Sequence, residues 1–111
     1  MSGGRAVLLL ATMPTRDEAE RVGEALVERR LAASGSVVPM VHTFSWSEGR
    51  LQRSHAALLI VTTTEERSED TLAELVALHS GPKPEVVRLA VDGAAAGYLG
   101  WIAGEVAPRQ G

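Results

Sequence analysis

The centre of the chain carries two long extended segments joined by a short turn, and this pair constrains the fold more than any other feature. Residues 37–46 and residues 51–64 are each ten or more residues long, whereas a typical strand has about 5–6 residues. Between them, Gly49 accepts a positive φ without a Cβ penalty, which predicts a tight turn over residues 47–50. The two segments therefore predict a β-hairpin.

The first arm of this hairpin has a period-two pattern and a proline. Alternation places one set of side chains on a single face: Val38, Met40, His42, Phe44 and Trp46. Pro39 has no N–H to give to a sheet, so it predicts a bulge or an edge position for this arm.

The N-terminal part of the chain predicts a strand followed by an amphipathic helix. Residues 7–12 form a short apolar run typical of a buried strand, and Pro14 ends it. Thr15 and Glu18 have the spacing of a capping box. An apolar stripe with helical spacing follows: Ala19, Val22, Gly23, Leu26 and Val27.

The C-terminal part predicts helix, strand and helix. Ser68 is expected to start a second helix, whose apolar face carries Leu72, Leu75, Val76 and His79. Pro82 stops this helix, because proline restricts the residue before it. A fourth strand is predicted over residues 85–91 and a glycine-weakened helix over residues 94–106.

The element order β-α-β-β-α-β plus a terminal helix predicts an α+β, ferredoxin-like fold. Right-handed crossovers would place the two long helices on one face of a four-stranded antiparallel sheet. We expect a single domain over residues 1–111 with an ordered core of about residues 5–107. The first strand is shorter than the hairpin, so the hairpin should extend past the sheet and expose Phe44 and Trp46. Self-association would cover this apolar, unpaired surface.

Composition excludes several classes of function. The net charge of −3 and the absence of a basic block argue against nucleic acid as a partner. The chain has no cysteine, which excludes iron–sulfur clusters, thiolate zinc sites, thiol catalysis and disulfides. The apolar run near the N-terminus is too short for a signal segment or a membrane span, so the cytoplasm is the expected location.

Several short segments, taken in order, resemble the CutA family of divalent-cation-tolerance proteins. The similarity covers about residues 7–106 and includes the order His79, Pro84-Glu85 and Tyr98-Leu99-Gly100-Trp101-Ile102. Arg30-Leu31-Ala32-Ala33, Val37-Val38-Pro39 and Glu48-Gly49-Arg50 fall in register with the same family pattern. The resemblance implies a homotrimer of PII-like architecture whose hairpin arms reach neighbouring subunits.

The chain also departs from that pattern. Ser34 stands where the family usually has cysteine, Ser36 where it has asparagine, and Ser80-Gly81 where it has Pro-Tyr. The chain therefore resembles a divergent member of the family that lacks the usual thiol. Copper binding in the family is associated with its cysteine and histidine positions, so one of the two side-chain types linked to copper is missing here. The resemblance implies that no cofactor is required, and that Cu(II) or another divalent cation is a candidate ligand.

Two residues are the candidate metal ligands. His79 offers an imidazole suited to copper or zinc, although a histidine at a helix C-terminus is also favoured by the helix dipole alone. Glu85 could supply a carboxylate near His79, or it could pair with an arginine at a subunit boundary. His42 is expected to pack across the hairpin, and His55 to be solvated.

Six further residues are assigned to an inter-subunit cleft or to trimer contacts: Ser34, Ser36, Phe44, Trp46, Tyr98 and Trp101. Tyr98 and Trp101 lie three apart on the last helix and are expected to pack more than to bind. The two serines have no histidine base evident in the sequence, so neither is assigned as a nucleophile.

Three functional hypotheses follow. The first is a non-enzymatic homotrimer that responds to divalent cations and contacts a protein partner. The second is a trimeric scaffold without a metal site. The third is an acylphosphatase-like enzyme, which the loop Thr12-Met13-Pro14-Thr15 disfavours because it lacks the glycine-rich backbone of a phosphate cradle.

Overall fold

The computed structural model describes residues 5–107 and contains four strands and three helices within that range. The strands lie in the order β2-β3-β1-β4, and every neighbouring pair is antiparallel. This arrangement confirms the ferredoxin-like α+β prediction. In chain order the elements are β1 (Ala6–Met13), α1 (Arg16–Glu28), β2 (Ser34–Ser47), β3 (Arg50–Thr64), α2 (Glu65–Leu78), β4 (Glu85–Ala90) and α3 (Tyr98–Glu105).

The hydrophobic core lies between one face of the sheet and helices α1 and α2. The odd-numbered residues of β1 and of the second half of β3 point to this face, and Leu9, Leu59 and Val61 are fully buried there. Leu26 of α1 and Leu75 of α2 belong to the same buried cluster. Both long helices therefore cover one face of the sheet, as predicted.

The two long helices begin with threonine caps, but only one start was predicted correctly. The Thr15 hydroxyl accepts a hydrogen bond from the Glu18 N–H at 3.1 Å, which confirms the predicted start of α1. Helix α2 begins at Glu65, not at Ser68, because Thr64 caps it through the Arg67 N–H at 3.3 Å. Ser68 lies inside the first turn, where its buried hydroxyl donates to the Glu65 carbonyl.

The apolar face predicted for α2 is only partly correct. Leu72 and Leu75 pack against the core, whereas Val76 is 42% exposed. His79 lies past the end of the helix in an extended conformation, so it is not part of that face.

The hairpin β2–β3 extends past the rest of the sheet. Strand β1 pairs with β3 only over Ala57–Thr64, so residues 50–56 of β3 have no partner on that side. The turn residues Glu48 and Gly49 have φ values of 52° and 76°, which is typical of a type I′ two-residue hairpin turn. The molecule is correspondingly elongated, with extents of 49 × 25 × 23 Å.

A β-bulge interrupts β2, so the prediction that Val38 shares one face with His42, Phe44 and Trp46 is wrong. Val38 pairs with Leu58, but Val41 pairs with Ala56, so β2 contains one extra residue at Pro39–Met40. Because one extra residue inverts the alternation, Val38 and Val41 share one face and His42 lies on the other. Strand β2 is also a sheet edge, so Pro39 occupies both a bulge and an edge strand.

Helix α3 lies on the sheet face opposite α1 and α2. It begins at Tyr98, later than the predicted Ala94, because Gly97 precedes it with a φ of 84°. Ile102 of α3 and Val106 just after it are buried against Ala6 and Ala33. None of the helices within residues 5–107 combines the length and apolarity needed to cross a membrane.

Arg30 holds the C-terminal segment. Its carbonyl accepts from the Ala107 N–H at 2.9 Å, and its Nε donates to the Glu105 carbonyl at 2.7 Å.

The remainder of the sheet face on which α3 lies keeps its apolar side chains partly or largely uncovered: Leu8, Leu10, Val38, Leu58, Ile60, Val87 and Leu89. These seven residues are called the open face below.

Candidate functional site

A surface cavity of about 240 Å³ lies where β1 ends, next to the loop between α2 and β4. It brings together the two predicted metal ligands, His79 and Glu85, although they are contributed by opposite ends of that loop. The other lining residues are Thr12, Met13, Pro14, Ala56, Gly81, Pro82 and Lys83.

The imidazole of His79 has a partner at each ring nitrogen. Nδ1 accepts a hydrogen bond from the Gly81 N–H at 2.8 Å, and Nε2 lies 3.2 Å from the Thr12 carbonyl oxygen. A carbonyl oxygen only accepts, so the proton of the neutral ring is on Nε2. His79 thus joins the segment after α2 to the end of β1.

Gly81 leaves room for the observed position of the His79 ring. A Cβ at position 81 would lie 2.6 Å from Cε1 of His79, well inside van der Waals contact. The replacement of the family's Pro-Tyr by Ser80-Gly81 therefore has a structural consequence, because Gly81 has no Cβ and leaves space for the ring. Sequence analysis recorded the substitution but did not predict its contact with His79.

Thr12 connects His79 to Glu85. Thr12 and Glu85 are register partners in the β1–β4 ladder, and the Thr12 hydroxyl donates to Oε1 of Glu85 at 3.0 Å. The carbonyl of the same residue faces Nε2 of His79. Sequence analysis missed Thr12, whose only signal is that it is the polar residue at the end of an apolar strand.

Glu18 fixes the other side of the loop. Its carboxylate accepts hydrogen bonds from the Ser80 N–H at 2.8 Å and from the Ser80 hydroxyl at 2.6 Å. Partial burial acts to raise the pKa of Glu18, but the two bonds from Ser80 outweigh it and lower the pKa below its ordinary value of 4.5. The charge of Arg21, and that of His79 when protonated, acts in the same direction.

The residues at the cavity do not fit a resident transition metal held by one chain. Both nitrogens of His79 already have partners, and Glu85 is hydrogen-bonded to Thr12. Residues 5–107 contain no group of three or more histidine, aspartate and glutamate side chains that could hold an ion. A resident, tightly held copper or zinc ion in a protein uses three or four such ligands.

The six other predicted site residues lie away from this cavity. Ser34 and Ser36 are in β2, separated from β4 by two strands, and Ser34 pairs with Thr62. Phe44 and Trp46 are exposed on the hairpin arm, 58% and 74% respectively. Tyr98 and Trp101 stack on each other with centroids 5.8 Å apart, and both are exposed. One chain alone therefore unites only His79 and Glu85.

Histidines 42 and 55 lie opposite each other on the hairpin. They are register partners, and their ring centroids are 4.6 Å apart in a T-shaped arrangement. The cross-strand packing predicted for His42 is confirmed. His55 is exposed, as expected, and its ring contacts that of His42. Sequence analysis missed this pair because the register across the bulge was unknown.

Fold and site together define a ferredoxin-like α+β protein with an overhanging hairpin and a third helix on the sheet face opposite α1 and α2. The model of the CutA1 divalent ion tolerance protein family matches residues 7–105. The chain belongs to this family.

Individual relatives give the same result. The divalent-cation tolerance protein CutA of Thermus thermophilus is 32% identical over 96 residues, covering 86% of this chain and 92% of that protein. The chloroplastic Protein CutA 1 of rice is 28% identical over 87% of this chain, which spans only 55% of that longer protein. The crystal structure of CutA1 from Oryza sativa superimposes with a TM-score of 0.87 at 26% identity, covering 94% of this chain and 95% of that one.

Proposed function

We propose that this protein is a non-enzymatic homotrimer that takes part in the response to divalent cations. Family membership supports the divalent-cation role, since the relatives are named for divalent-cation tolerance. The observation that carries the trimer is the open face of the sheet.

The open face supports self-association. In a two-layer α+β fold, helices cover one face of the sheet, and the other face is commonly solvated and polar. Here that face is apolar, and Val87 and Leu89 on the edge strand β4 are 54% and 44% exposed. Apolar patches of this kind mark interaction sites in soluble proteins. A ring of three copies would cover three such faces with closed symmetry.

The hairpin arm supports the same assembly. It projects past β1, leaves residues 50–56 unpaired on one side, and exposes Phe44 and Trp46. An unpaired strand edge with apolar side chains invites pairing with another chain. In the proposed trimer this arm contacts a neighbouring subunit.

The His79 cavity is the proposed ligand site within the trimer. A cation would bind there only if a neighbouring subunit supplied further ligands and the ring released Thr12 or Gly81. The hydrogen bonds at both nitrogens of His79 favour a second candidate, in which the trimer is a scaffold and His79 a purely structural contact.

Native mass spectrometry of the untagged protein, stripped of metal and then titrated with Cu(II) and Zn(II), tests both parts. The proposal expects a trimer, with ion uptake that decreases in His79→Ala. Uptake that is unchanged in this variant would favour the scaffold, and a monomer would overturn the trimer itself.

We also propose that the protein is cytoplasmic and that the trimer contacts another protein. Fractionation of cells that produce the chain tests the location. Crosslinking in the same cells, with and without added copper, tests whether a partner contacts the trimer.

A further inference from the structure

The geometry of the hairpin points to a metal site that is separate from the His79 cavity. We propose that His42 and His55 form a two-histidine site for a divalent transition-metal ion such as Cu(II), Ni(II) or Zn(II). The site lies on the arm that projects past β1, and it depends on neither His79 nor Glu85.

The two imidazoles are placed by the strand register. His42 and His55 are direct partners in the β2–β3 ladder. Counting from the two-residue turn, where Ser47 and Arg50 close the hairpin, the pair is five steps away and so falls at a non-hydrogen-bonded position. At such positions the Cα atoms are about 4.5 Å apart and the side chains are closest. The ring centroids are 4.6 Å apart.

The rings need only a small change to share an ion. They are now nearly perpendicular, with an interplanar angle of 82°. Their χ2 torsions are soft, because rotation about an sp³–sp² bond has broad minima. Two nitrogens that each lie about 2.0–2.1 Å from one ion are at most about 4 Å apart, which this pair of rings can reach.

The chemistry of the pair suits transition metals rather than Mg²⁺ or Ca²⁺. Neutral imidazole is a preferred ligand for copper, nickel and zinc, and affinity normally peaks at Cu(II). Both side chains are exposed in the single chain, so water or a side chain of a neighbouring subunit can supply the remaining ligands. Strands also hold ligands more precisely than loops do.

Arg53 is the cation nearest to the pair in the ladder, and it is already engaged. It occupies the next position on the same face, where its guanidinium lies over the Phe44 ring at 5.3 Å from the centroid. This cation–π contact draws the charge toward Phe44 and stabilises the strand pair beside the two histidines. We expect Arg53→Gln to strengthen ion binding by removing a like charge.

The test is a Cu(II) titration of the untagged protein, followed by calorimetry and by electron paramagnetic resonance. Removing even an outer partner of a metal ligand costs about 10–100-fold in affinity, so His42→Ala and His55→Ala should each weaken binding at least as much. Thr43→Ala is the control, since Thr43 lies on the same arm but on the opposite face. His79→Ala is measured beside it because it reports separately on the proposed ligand site in the cavity. His42→Asn and His55→Gln repeat the test with polar side chains of closer size.

The outcomes separate this proposal from the proposed function. A resonance spectrum with two nitrogen ligands, lost in both hairpin variants and kept in Thr43→Ala, supports the hairpin site. Binding that is unchanged in the hairpin variants, or absent from the wild type, overturns it. Dependence on His79 alone would overturn the hairpin site while supporting the ligand site in the cavity.

Discussion

At the scale of single residues, His79 acts here as a connector between segments. Its ring joins the Thr12 carbonyl to the Gly81 N–H, while Thr12 holds Glu85 and Ser80 is held by Glu18. These contacts tie the start of α1, the end of β1 and the loop after α2 together. A histidine with both nitrogens in use is a poor ligand until one of those bonds is released.

Gly81→Ala should loosen this connector. The added Cβ would meet Cε1 of His79, so the ring has to move and the Gly81 N–H loses its acceptor. We expect a loss of about 1 kcal/mol in the free energy of unfolding, the typical contribution of one hydrogen bond. Gly93→Ala is the control, because a Cβ there meets nothing within 4 Å. Equal stability of the two variants in urea titrations at one protein concentration would contradict this assignment.

The Glu18–Ser80 contact should make stability depend on pH. The folded-state pKa of Glu18 is lowered, so its contribution is fully present above the ordinary value of 4.5 and is lost as the pH falls through the lower, folded-state value. Glu18→Gln should therefore destabilise the protein near neutral pH, with a difference from wild type that shrinks on acidification below 4.5. Urea titrations across this range, with Glu28→Gln as the control, measure the effect; a constant difference would refute it.

At the scale of elements, threonines decide where segments start and how they are joined. Thr64 caps α2, and the hydroxyls of Thr63 and Thr71 both donate to the Leu31 carbonyl, at 2.6 and 2.8 Å. The Leu31 carbonyl lies just after α1, so β3 and α2 are both fastened to the end of that helix. Thr63 thus helps to join the sheet to the helix layer.

Thr64→Ala should destabilise α2 at its first turn. The Arg67 N–H would lose its side-chain acceptor, and loss of a threonine N-cap costs about 1 kcal/mol. Thr64→Ser keeps the hydroxyl and should recover most of the difference. Thermal unfolding followed by circular dichroism compares the three proteins, and an alanine variant as stable as the serine variant would show that the cap contributes nothing.

At the scale of the whole molecule, the fold leaves the apolar side chains of the open face exposed and one hairpin arm projecting past the sheet. Helix α3 covers that sheet face only at the end around Ala6 and leaves the open face uncovered, and the arm lies past the other end of β1. Both features are explained together if other copies of the chain cover them. The proposed trimer thus follows from incomplete burial in a single copy.

Val87→Asp should dissociate the assembly. Burying an unpaired carboxylate in an apolar contact costs several kcal/mol, whereas the same charge on a free surface costs little. Val76→Asp is the matched control: Val76 is 42% exposed on α2, and Val87 is 54% exposed on the open face. Light scattering after gel filtration should give a smaller mass for Val87→Asp alone. If both variants keep the wild-type mass, the open face is not the interface.

The sequence by itself determined the element types and their order. Helical spacing in α1, the Thr15–Glu18 cap, the turn at Gly49 and the excess length of the hairpin are local patterns, and local patterns act through the backbone of neighbouring residues. The order of these elements determined the fold class. Motifs spread over residues 7–106 indicated the family, because their order and spacing were retained even where single residues had changed.

Only the tertiary structure decided how residues far apart in sequence meet. The bulge at Pro39–Met40 shifts the register by one residue, and this shift places His42 opposite His55. The Gly81–His79–Thr12 connection joins positions 67 residues apart, and no periodic pattern encodes such a contact. Pairing across strands depends on the packing of the whole sheet, so one chain's motifs predict its strands but not which side chains those strands bring together.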